Sequence, residues 1–490
     1  MNALRLLPIL FLVASATPLF SQNALRTPDE FFPQKRGEQF TPHYLLNNYF
    51  DYLAANATST MRLVKYGATN EGRPLQIAIF SSPENMARLE QIRLNNLRLT
   101  GLTDGKAETA NPVAIVWLSM SVHGNEPSGS ECSTELAFRM AAQTDPQMRE
   151  WLKNTVVILD PSLNPDGYDR YTHWYLMASN LLKTANPDSR EHREPWPGGR
   201  PNHYYYDLNR DFVKCDSRNA RTFNRIFQTW MPDIFVDNHT SNGADYQYTM
   251  TLIATQHDKL EAPLGSFLQE TMLPELYGEM KKRNWDMIPY VDGPGETPDS
   301  GISGFCDYGR YSTGYAALWN TIGFMPETHM LKPYPQRVQS TYDIMRAIID
   351  LTSRWSEQIK TLRAQAREEV KNKQEFPLAW TKDTARYDVV TFKGYEAGYK
   401  PSEVSGLPRL YYDRNKPFMK QIKYYNFFKP NNLVKKPKAY LIPQGWFNVI
   451  DLLKINGVAM TRLSKDTLIE VETYHIDDYK SAPRPYEEIG

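Results

Sequence analysis

Short, continuous apolar runs alternate with segments of helical periodicity along the first two thirds of this 490-residue chain. Runs without polar alternation are typical of strands that are buried on both faces, and the segments between them are typical of helices that cover those faces. The pattern therefore predicts an α/β fold, an α/β/α sandwich with a mixed, mostly buried sheet. The predicted strands are residues 112–120, 155–162, 233–239, 286–291 and 322–329.

Two helices and a domain boundary complete this outline. The spacing of Leu136, Ala137 and Met140 predicts a helix over residues 131–142, and residues 335–373 have the pattern of a long, charged helix. After about residue 376 the chain becomes rich in Tyr, Lys and Pro. We therefore expect one domain over residues 23–375 and a smaller C-terminal α+β module over residues 376–490. The last residues form no obvious closing element, so we expect this module to be incomplete.

The first 22 residues have the pattern of a secretory signal peptide. Arg5 precedes an apolar stretch over residues 6–14, and small residues follow it. This stretch is too short to span a bilayer, which takes about 20 apolar residues. We expect cleavage near Ser21 or Gln22, export to the periplasm or the extracellular space, and no transmembrane segment.

Charge and cysteine content narrow the classes of function. Lys plus Arg and Asp plus Glu each number 56. A chain with this balance has no overall field that would attract nucleic acid, and we expect no nucleic-acid partner. Cys132, Cys215 and Cys306 are far apart along the chain, so they do not form a cysteine cluster of the metal-binding type. We expect them to be buried packing residues.

Polar residues at predicted strand ends indicate a metal site. The stretch LSMSVHGNEPSGSE places His123 and Glu126 three residues apart, in the loop after a predicted strand, and His239 ends another predicted strand. Three nitrogen or oxygen ligands, with a fourth position left for water, form the usual catalytic zinc site. Each of these residues taken alone fits an ordinary loop or core position equally well.

Five motifs, in order, make the chain resemble the zinc carboxypeptidase family, the metallopeptidases of the carboxypeptidase A and B type. They are HGNE at 123–126, NPDG at 164–167, DLNR at 207–210, DNH at 237–239 and PET at 326–328. The resemblance covers approximately residues 40–370 and implies the family's α/β/α fold. It also implies that His123, Glu126 and His239 bind one zinc ion per chain.

The resemblance implies roles for residues around the metal. Asp207 would accept a hydrogen bond from the first ligand imidazole and so fix its tautomer. Asn209 and Arg210 would hold the terminal carboxylate of the substrate, a contact that a planar guanidinium makes through two parallel hydrogen bonds. Glu327 would be the general base, although Pro326 in front of it departs from the family's pattern.

Two further roles have several candidates each. The family has an arginine that stabilises the oxyanion, and the long loop over residues 181–212 offers Arg190, Arg193 and Arg200. We favour Arg193 as this catalytic residue and Arg200 after it, with Arg200 also a candidate for binding substrate. The family's mobile tyrosine corresponds to Tyr308, Tyr311 or Tyr315. We choose Tyr311.

The sequence therefore predicts an exported zinc metallocarboxypeptidase, which hydrolyses C-terminal peptide bonds through a zinc-activated water. Its substrate would be a peptide or protein with a free C-terminus. One alternative is a zinc-dependent amidase or deacylase that acts on cell-wall peptides or acylated amino acids. Another is a non-catalytic binding module that kept the fold.

Overall fold

The computed structural model describes residues 24–293, 295, 297–403, 405–481 and 483. The predicted signal peptide, residues 1–22, lies outside these residues. The strands are β1 (Met61–Ala68), β2 (Pro74–Phe80), β3 (Ala114–Met120), β4 (Thr155–Asp160), β5 (Ile234–Ser241), β6 (Met250–Ala254), β7 (Met287–Pro289), β8 (Ile302–Ser303), β9 (Ile322–His329), β10 (Glu375–Lys382), β11 (Asp388–Pro401), β12 (Pro408–Tyr425) and β13 (Phe428–Lys435). The α-helices are α1 (Pro28–Phe31), α2 (His43–Asn56), α3 (Pro83–Ala87), α4 (Leu89–Leu99), α5 (Ser128–Ala142), α6 (Pro146–Asn154), α7 (Pro165–Ala178), α8 (Arg218–Trp230), α9 (Ala262–Phe267), α10 (Leu273–Lys282), α11 (Ser312–Ala317), α12 (Tyr334–Arg354), α13 (Ser356–Asn372) and α14 (Phe447–Ile455).

Eight strands form one mixed sheet, in the order β1-β2-β4-β3-β5-β9-β6-β7. The central strands β4, β3, β5 and β9 run parallel to one another, while β2 and β6 pair antiparallel with their neighbours β4 and β9. Every residue of β3, β4 and β9 is buried, as expected for apolar strands that are covered on both faces. The predicted mixed, buried sheet is confirmed.

Helices cover both faces of this sheet and divide the core into two layers. On one face, side chains such as Leu136 of α5 and Ile348 of α12 pack against Val116 and Val236 of the sheet. On the other face, helices α4, α8 and α11 pack against the alternate residues of the same strands. Each large apolar side chain that is fully buried contributes about 1.5–3 kcal/mol to folding. The two layers make the α/β/α sandwich that the sequence predicts.

Some elements differ from the sequence prediction. The long helix predicted over residues 335–373 is two helices, because α12 ends at Arg354, Trp355 interrupts it, and α13 begins at Ser356. The edge strand β1 was missed because its residues alternate between half-buried and exposed and include charged side chains. The predicted strand over residues 286–291 is reduced to three residues and ends at Pro289.

Part of the region after residue 376 packs on the preceding part of the chain. Strands β11 and β12 form a long antiparallel hairpin, residues 388–425, which we call the C-terminal hairpin. Its Phe392 and Ile422 share an apolar cluster with Tyr246 and Tyr248 of the first domain. Between residues 436 and 481 the structure has the helix α14 and no strand.

Two further expectations concern cysteines and membranes. Cys132 and Cys215 are buried, whereas Cys306 is half-buried, and all three are free thiols. Across the described ranges, no helix combines the length and the apolar character that crossing a bilayer requires.

Candidate active site

Three side chains from neighbouring strand ends converge at the C-terminal edge of the parallel strands. His123 and Glu126 lie in the turn between β3 and α5, and His239 lies near the end of β5. Glu126 stands between the two imidazoles: its Oε1 is 2.9 Å from His123 Nδ1, and its Oε2 is 2.9 Å from His239 Nδ1. The three ligand atoms all lie within 4.8 Å of one another. Two nitrogens and one carboxylate oxygen are a donor set that suits catalytic zinc.

The outer nitrogen of each imidazole faces another carboxylate. His123 Nε2 is 2.9 Å from Asp207 Oδ1, and His239 Nε2 is 2.8 Å from Asp237 Oδ2. Such a carboxylate keeps the proton on Nε2 and leaves Nδ1 available to a metal. Sequence reasoning proposed Asp207 but missed Asp237. The signal for Asp237 was its position two residues before His239, because alternate residues of a strand share a face.

Charges within this cluster compensate one another. Burial by itself raises the pKa of Glu126, but the two imidazoles outweigh burial and lower that pKa below its usual range. Burial by itself lowers the pKa of His239, but Asp237 and Glu126 outweigh it and hold that pKa well above its usual value. The two carboxylates thus favour positive charge on the His239 imidazole, at the point where a metal cation would supply it.

Glu327 lies beside the cluster on the neighbouring strand β9. It pairs directly with His239 in the parallel ladder between β5 and β9. Burial raises the pKa of Glu327 to about 8; His239 opposes this shift and the Glu126 carboxylate adds to it. A buried carboxyl with a raised pKa next to a metal site is suited to general acid-base catalysis. Pro326, which has no N–H to donate, precedes it and pairs with Leu252 of β6.

Arg200 is the arginine of the long loop that reaches the cluster. Its Nη2 lies 2.8 Å from Asp207 Oδ2, and its Nη1 lies 3.2 Å from His123 Nδ1 and 3.4 Å from Glu126 Oε1. Arg193, which the sequence analysis favoured, has a side chain that is 69% exposed and that pairs with Asp188 at 2.5 Å. The structure therefore does not bring Arg193 to the site, and we transfer its expected role to Arg200.

Close approach of three glycines explains why Arg200 occupies this position. A Cβ atom on Gly167 would lie 2.3 Å from the carbonyl oxygen of Gly199, and a Cβ atom on Gly124 would lie 2.5 Å from the same oxygen. The backbone before Arg200 therefore lies directly on the HGNE and NPDG turns. Asn164 Nδ2 also donates a hydrogen bond to the Arg200 carbonyl at 3.1 Å. These contacts fix which residue of the loop faces the cluster.

Asn209, Arg210 and Tyr311 meet next to this arginine. Asn209 Oδ1 accepts a hydrogen bond of 2.9 Å from the backbone N–H at the start of α11. The buried Arg210 guanidinium lies 4.7 Å from the centre of the Tyr311 ring. The other two candidate tyrosines lie elsewhere, because the Tyr308 hydroxyl contacts the backbone of β10 and Tyr315 is buried in the core. The structure thus brings Tyr311 to Arg210.

Comparison with known sequences gives one family and one curated relative. Residues 46–252 match the family model described as zinc carboxypeptidase. Over 158 residues the chain is 30% identical to carboxypeptidase E of Caenorhabditis elegans, and this alignment covers 32% of the present chain. The match spans 26% of the length of that relative. The resemblance to zinc carboxypeptidases is confirmed for this part of the chain.

Solved structures of metallo-carboxypeptidases also align with the chain. The metallo-carboxypeptidase of Burkholderia cenocepacia gives a TM-score of 0.43 at 15% identity, over 65% of this chain and 70% of that one. Carboxypeptidase A of Helicoverpa armigera gives a TM-score of 0.43 at 12% identity, over 68% of this chain and 75% of that one.

Proposed function

We propose that this chain, of which residues 46–252 match the zinc carboxypeptidase family model, is a zinc-dependent metallocarboxypeptidase that removes C-terminal residues from peptides or proteins. The observation that supports this most directly is the convergence of His123, Glu126 and His239 within 4.8 Å, at the same strand ends as Glu327. A metal-binding group and a buried carboxyl at one sheet edge are what hydrolysis of a peptide bond requires.

The two imidazoles and Glu126 are the ligands that we propose for one zinc ion per chain. When bound, zinc would supply a Lewis acid that polarises a carbonyl and acidifies water. Asp207 and Asp237 would hold the ligand rings in one tautomer and orientation. The donor set of the site fits such an ion.

Glu327 and Arg200 carry out the proton transfer and the charge stabilisation in this proposal. Glu327 accepts a proton from the attacking water and passes it to the leaving amine, a role that its raised pKa supports near neutral pH. Arg200 donates hydrogen bonds to the negative charge that develops on the substrate carbonyl oxygen. Its contacts with Asp207 and Glu126 hold the guanidinium at the cluster before substrate arrives.

Arg210 and Asn209 bind the substrate's terminal carboxylate in this proposal. Arg210 is buried, where a charge-assisted hydrogen bond is stronger than at an exposed surface. Tyr311 packs on the guanidinium and would close this end of the site. Because the arginine and the amide lie together, they favour binding of a substrate's free C-terminal carboxylate over binding of an internal peptide segment.

Assays of two enzyme variants on two peptides distinguish the proposed carboxypeptidase from the alternative amidase or deacylase. Wild type and Arg210→Ala are each assayed for kcat/KM with a free-acid peptide and with its C-terminally amidated form. Loss of the Arg210 contact should lower kcat/KM on the free acid by about 100-fold, since the substrate anion loses a charged partner. Amidation should cost wild type a similar factor, and the two losses should not add. Equal cleavage of both peptides by wild type would instead support the amidase or deacylase.

A second experiment distinguishes the enzyme from a binding module that kept the fold. Glu327→Gln should retain zinc but lose several orders of magnitude in kcat, because an amide cannot accept the proton of water. Elemental analysis measures the metal, and a chelator should abolish the activity of wild type. A wild-type protein that holds zinc and hydrolyses no peptide or acyl substrate would support the binding module.

Export is also part of the proposal and rests on the sequence pattern of residues 1–22 alone. Its test is the N-terminal sequence of the protein recovered from the periplasmic or extracellular fraction, which should begin near residue 23. Recovery of the full-length chain from the cytoplasm would contradict export.

A further inference from the structure

A cavity of about 780 Å³ opens beside the candidate site. Its walls include residues 242–246, which directly follow β5, and Leu331, which lies shortly after the end of β9 at His329. Because β5 carries His239 and β9 carries Glu327, the cavity lies at the same sheet edge as the metal cluster. Tyr290 lines the cavity as well. Its pKa is raised mainly by burial and next by the charge of Glu327. The cavity and the catalytic groups are thus neighbours.

The C-terminal hairpin forms the far wall of this cavity and is anchored on two sides. Arg414 Nε lies 2.6 Å from Asp245 Oδ2, and Arg414 Nη2 donates to the Leu331 carbonyl at 3.1 Å. Towards its tip, Arg409 Nη1 lies 2.7 Å from Asp188 Oδ2, in the same long loop that carries Arg200. These contacts bring the hairpin against the segments around the site, so the wall is formed before any ligand binds.

The cavity and the proposed carboxylate site are bordered by elements that pack in opposite core layers. Arg210 contacts Tyr311 at the start of α11, which packs in the same core layer as α8. Leu331 leads instead into α12, which packs in the other core layer. A peptide with its terminal carboxylate at Arg210 and its last peptide bond at the metal ligands would therefore extend its preceding residues towards the cavity.

One cation of the cavity wall differs from the others. Arg409 and Arg414 are each paired with an aspartate. Lys400 also lines the cavity, and its Nζ lies 5.4 Å from the centre of the Tyr411 ring, but the described residues place no carboxylate within ion-pair distance of it. An ammonium group without a carboxylate partner can form a charge-assisted hydrogen bond with an acidic ligand.

We propose that this cavity binds the residues that precede the cleaved bond, and that Lys400 selects an acidic side chain among them. The inference rests on the proposed carboxypeptidase activity and adds the substrate class. It gives the C-terminal hairpin, which lies outside the matched residues 46–252, a part in specificity. The substrate would be a peptide with an acidic residue upstream of its C-terminal residue.

The test compares three substrates with the same C-terminal residue. One is a blocked dipeptide too short to enter the cavity, and the others are longer peptides that carry Glu or Lys at one upstream position. Wild type should cleave the Glu peptide about tenfold better than the Lys peptide, in kcat/KM, as expected for one charge-assisted contact. Lys400→Ala should remove most of this preference and leave cleavage of the dipeptide unchanged.

A matched control comes from the same hairpin. Lys416 does not line the cavity, and its exposed side chain faces Glu396 at 3.6 Å. Lys416→Ala should therefore keep the wild-type preference for the Glu peptide. If it removes the preference as Lys400→Ala does, the effect belongs to the charge of the hairpin as a whole, and the assignment of Lys400 is wrong.

A binding measurement keeps this inference separate from the proposed activity. In the Glu327→Gln background, the dissociation constant of the Glu peptide should rise about tenfold on adding Lys400→Ala, as measured by calorimetry. If no substrate is cleaved by wild type but this difference appears, the proposed activity fails and the binding site stands. If wild type cleaves the dipeptide but treats the Glu and Lys peptides alike, the activity stands and the acidic subsite is refuted.

Discussion

Replacement of Asp233 by asparagine should strongly destabilise the protein. Asp233 has no exposed surface, and it lies one residue before β5, the strand that carries His239. Its Oδ2 lies 2.6 Å from Lys360 Nζ, its Oδ1 pairs with the Arg363 guanidinium, and both cations are buried on α13. Asp233→Asn keeps the shape of the side chain and removes its charge, which leaves two buried cations without a counter-ion.

The magnitude follows from the cost of an uncompensated buried charge. Removal of one partner of a buried ion pair costs about 3–5 kcal/mol, a large part of the total stability of a typical domain. Arg363 keeps some compensation, because its Nε donates to the Asn320 carbonyl at 2.8 Å and its Nη2 donates to Thr321 Oγ1 at 3.2 Å. Lys360→Met should cost much less, since the pair between Asp233 and Arg363 remains.

Urea unfolding followed by circular dichroism measures both variants. We expect Asp233→Asn to lower the free energy of unfolding by about 3–5 kcal/mol at pH 7, and the Asp233→Asn, Lys360→Met double variant to recover part of this loss. Burial raises the pKa of Asp233, but Lys360 and Arg363 outweigh burial and lower it. The wild-type advantage should therefore shrink as the pH falls below the usual carboxyl range. A loss smaller than about 1 kcal/mol, the size expected of an exposed pair, would refute this reasoning.

Two further predictions concern the metal ligands and a second buried carboxyl. Asp237→Asn should weaken zinc binding by about 10- to 100-fold in a chelator competition, because His239 loses the carboxylate that orients its ring; unchanged affinity would contradict that role. Burial raises the pKa of Glu131 from its usual 4.5 to about 7, so the folded state retains a proton that the unfolded chain releases in this range. The free energy of unfolding should therefore fall by about 3 kcal/mol from this group as the pH rises through this range. Glu131→Gln should flatten that slope in urea titrations at pH 5 and pH 7, and an unchanged slope would show that other groups cause it.

The parts of the fold that could be predicted from the sequence are those in which local pattern and burial coincide. Strands β3, β4, β5 and β9 are apolar because both of their faces are covered, so their runs could be recognised directly. The edge strand β1 has charged and half-exposed residues, so no continuous apolar run marks it, although it pairs with β2, the next strand along the chain. The break at Trp355 coincides with contacts to segments distant in sequence, because its ring packs against Phe267 and its Nε1 donates to Glu275 Oε2 at 3.3 Å.

The residues of the candidate site also differ in how far the sequence could predict them. His123 and Glu126 share one short motif after β3, and His239 lies near the end of β5, a parallel neighbour of β3 whose end meets the same edge of the sheet. Arg200 lies in a long loop, and its place depends on the close approach of backbone at Gly199 to two other turns. No local pattern distinguishes it from Arg193, because contacts between segments distant in sequence decide which arginine faces the cluster.

The arrangement of charge at the site also explains why a cation belongs there. Four carboxylates, Glu126, Asp207, Asp237 and Glu327, are buried around the two ligand imidazoles, with the guanidinium of Arg200 as a fixed positive charge. Buried carboxylates are costly unless a positive charge compensates them. Asp237 and Glu126 hold the pKa of His239 well above its usual value, so a proton on this imidazole provides part of the compensation, and a divalent cation would displace it on binding. Glu126, Asp207 and Asp237 contact the imidazole nitrogens at hydrogen-bond distance, whereas burial dominates at Glu327 and raises its pKa to about 8, which suits a base.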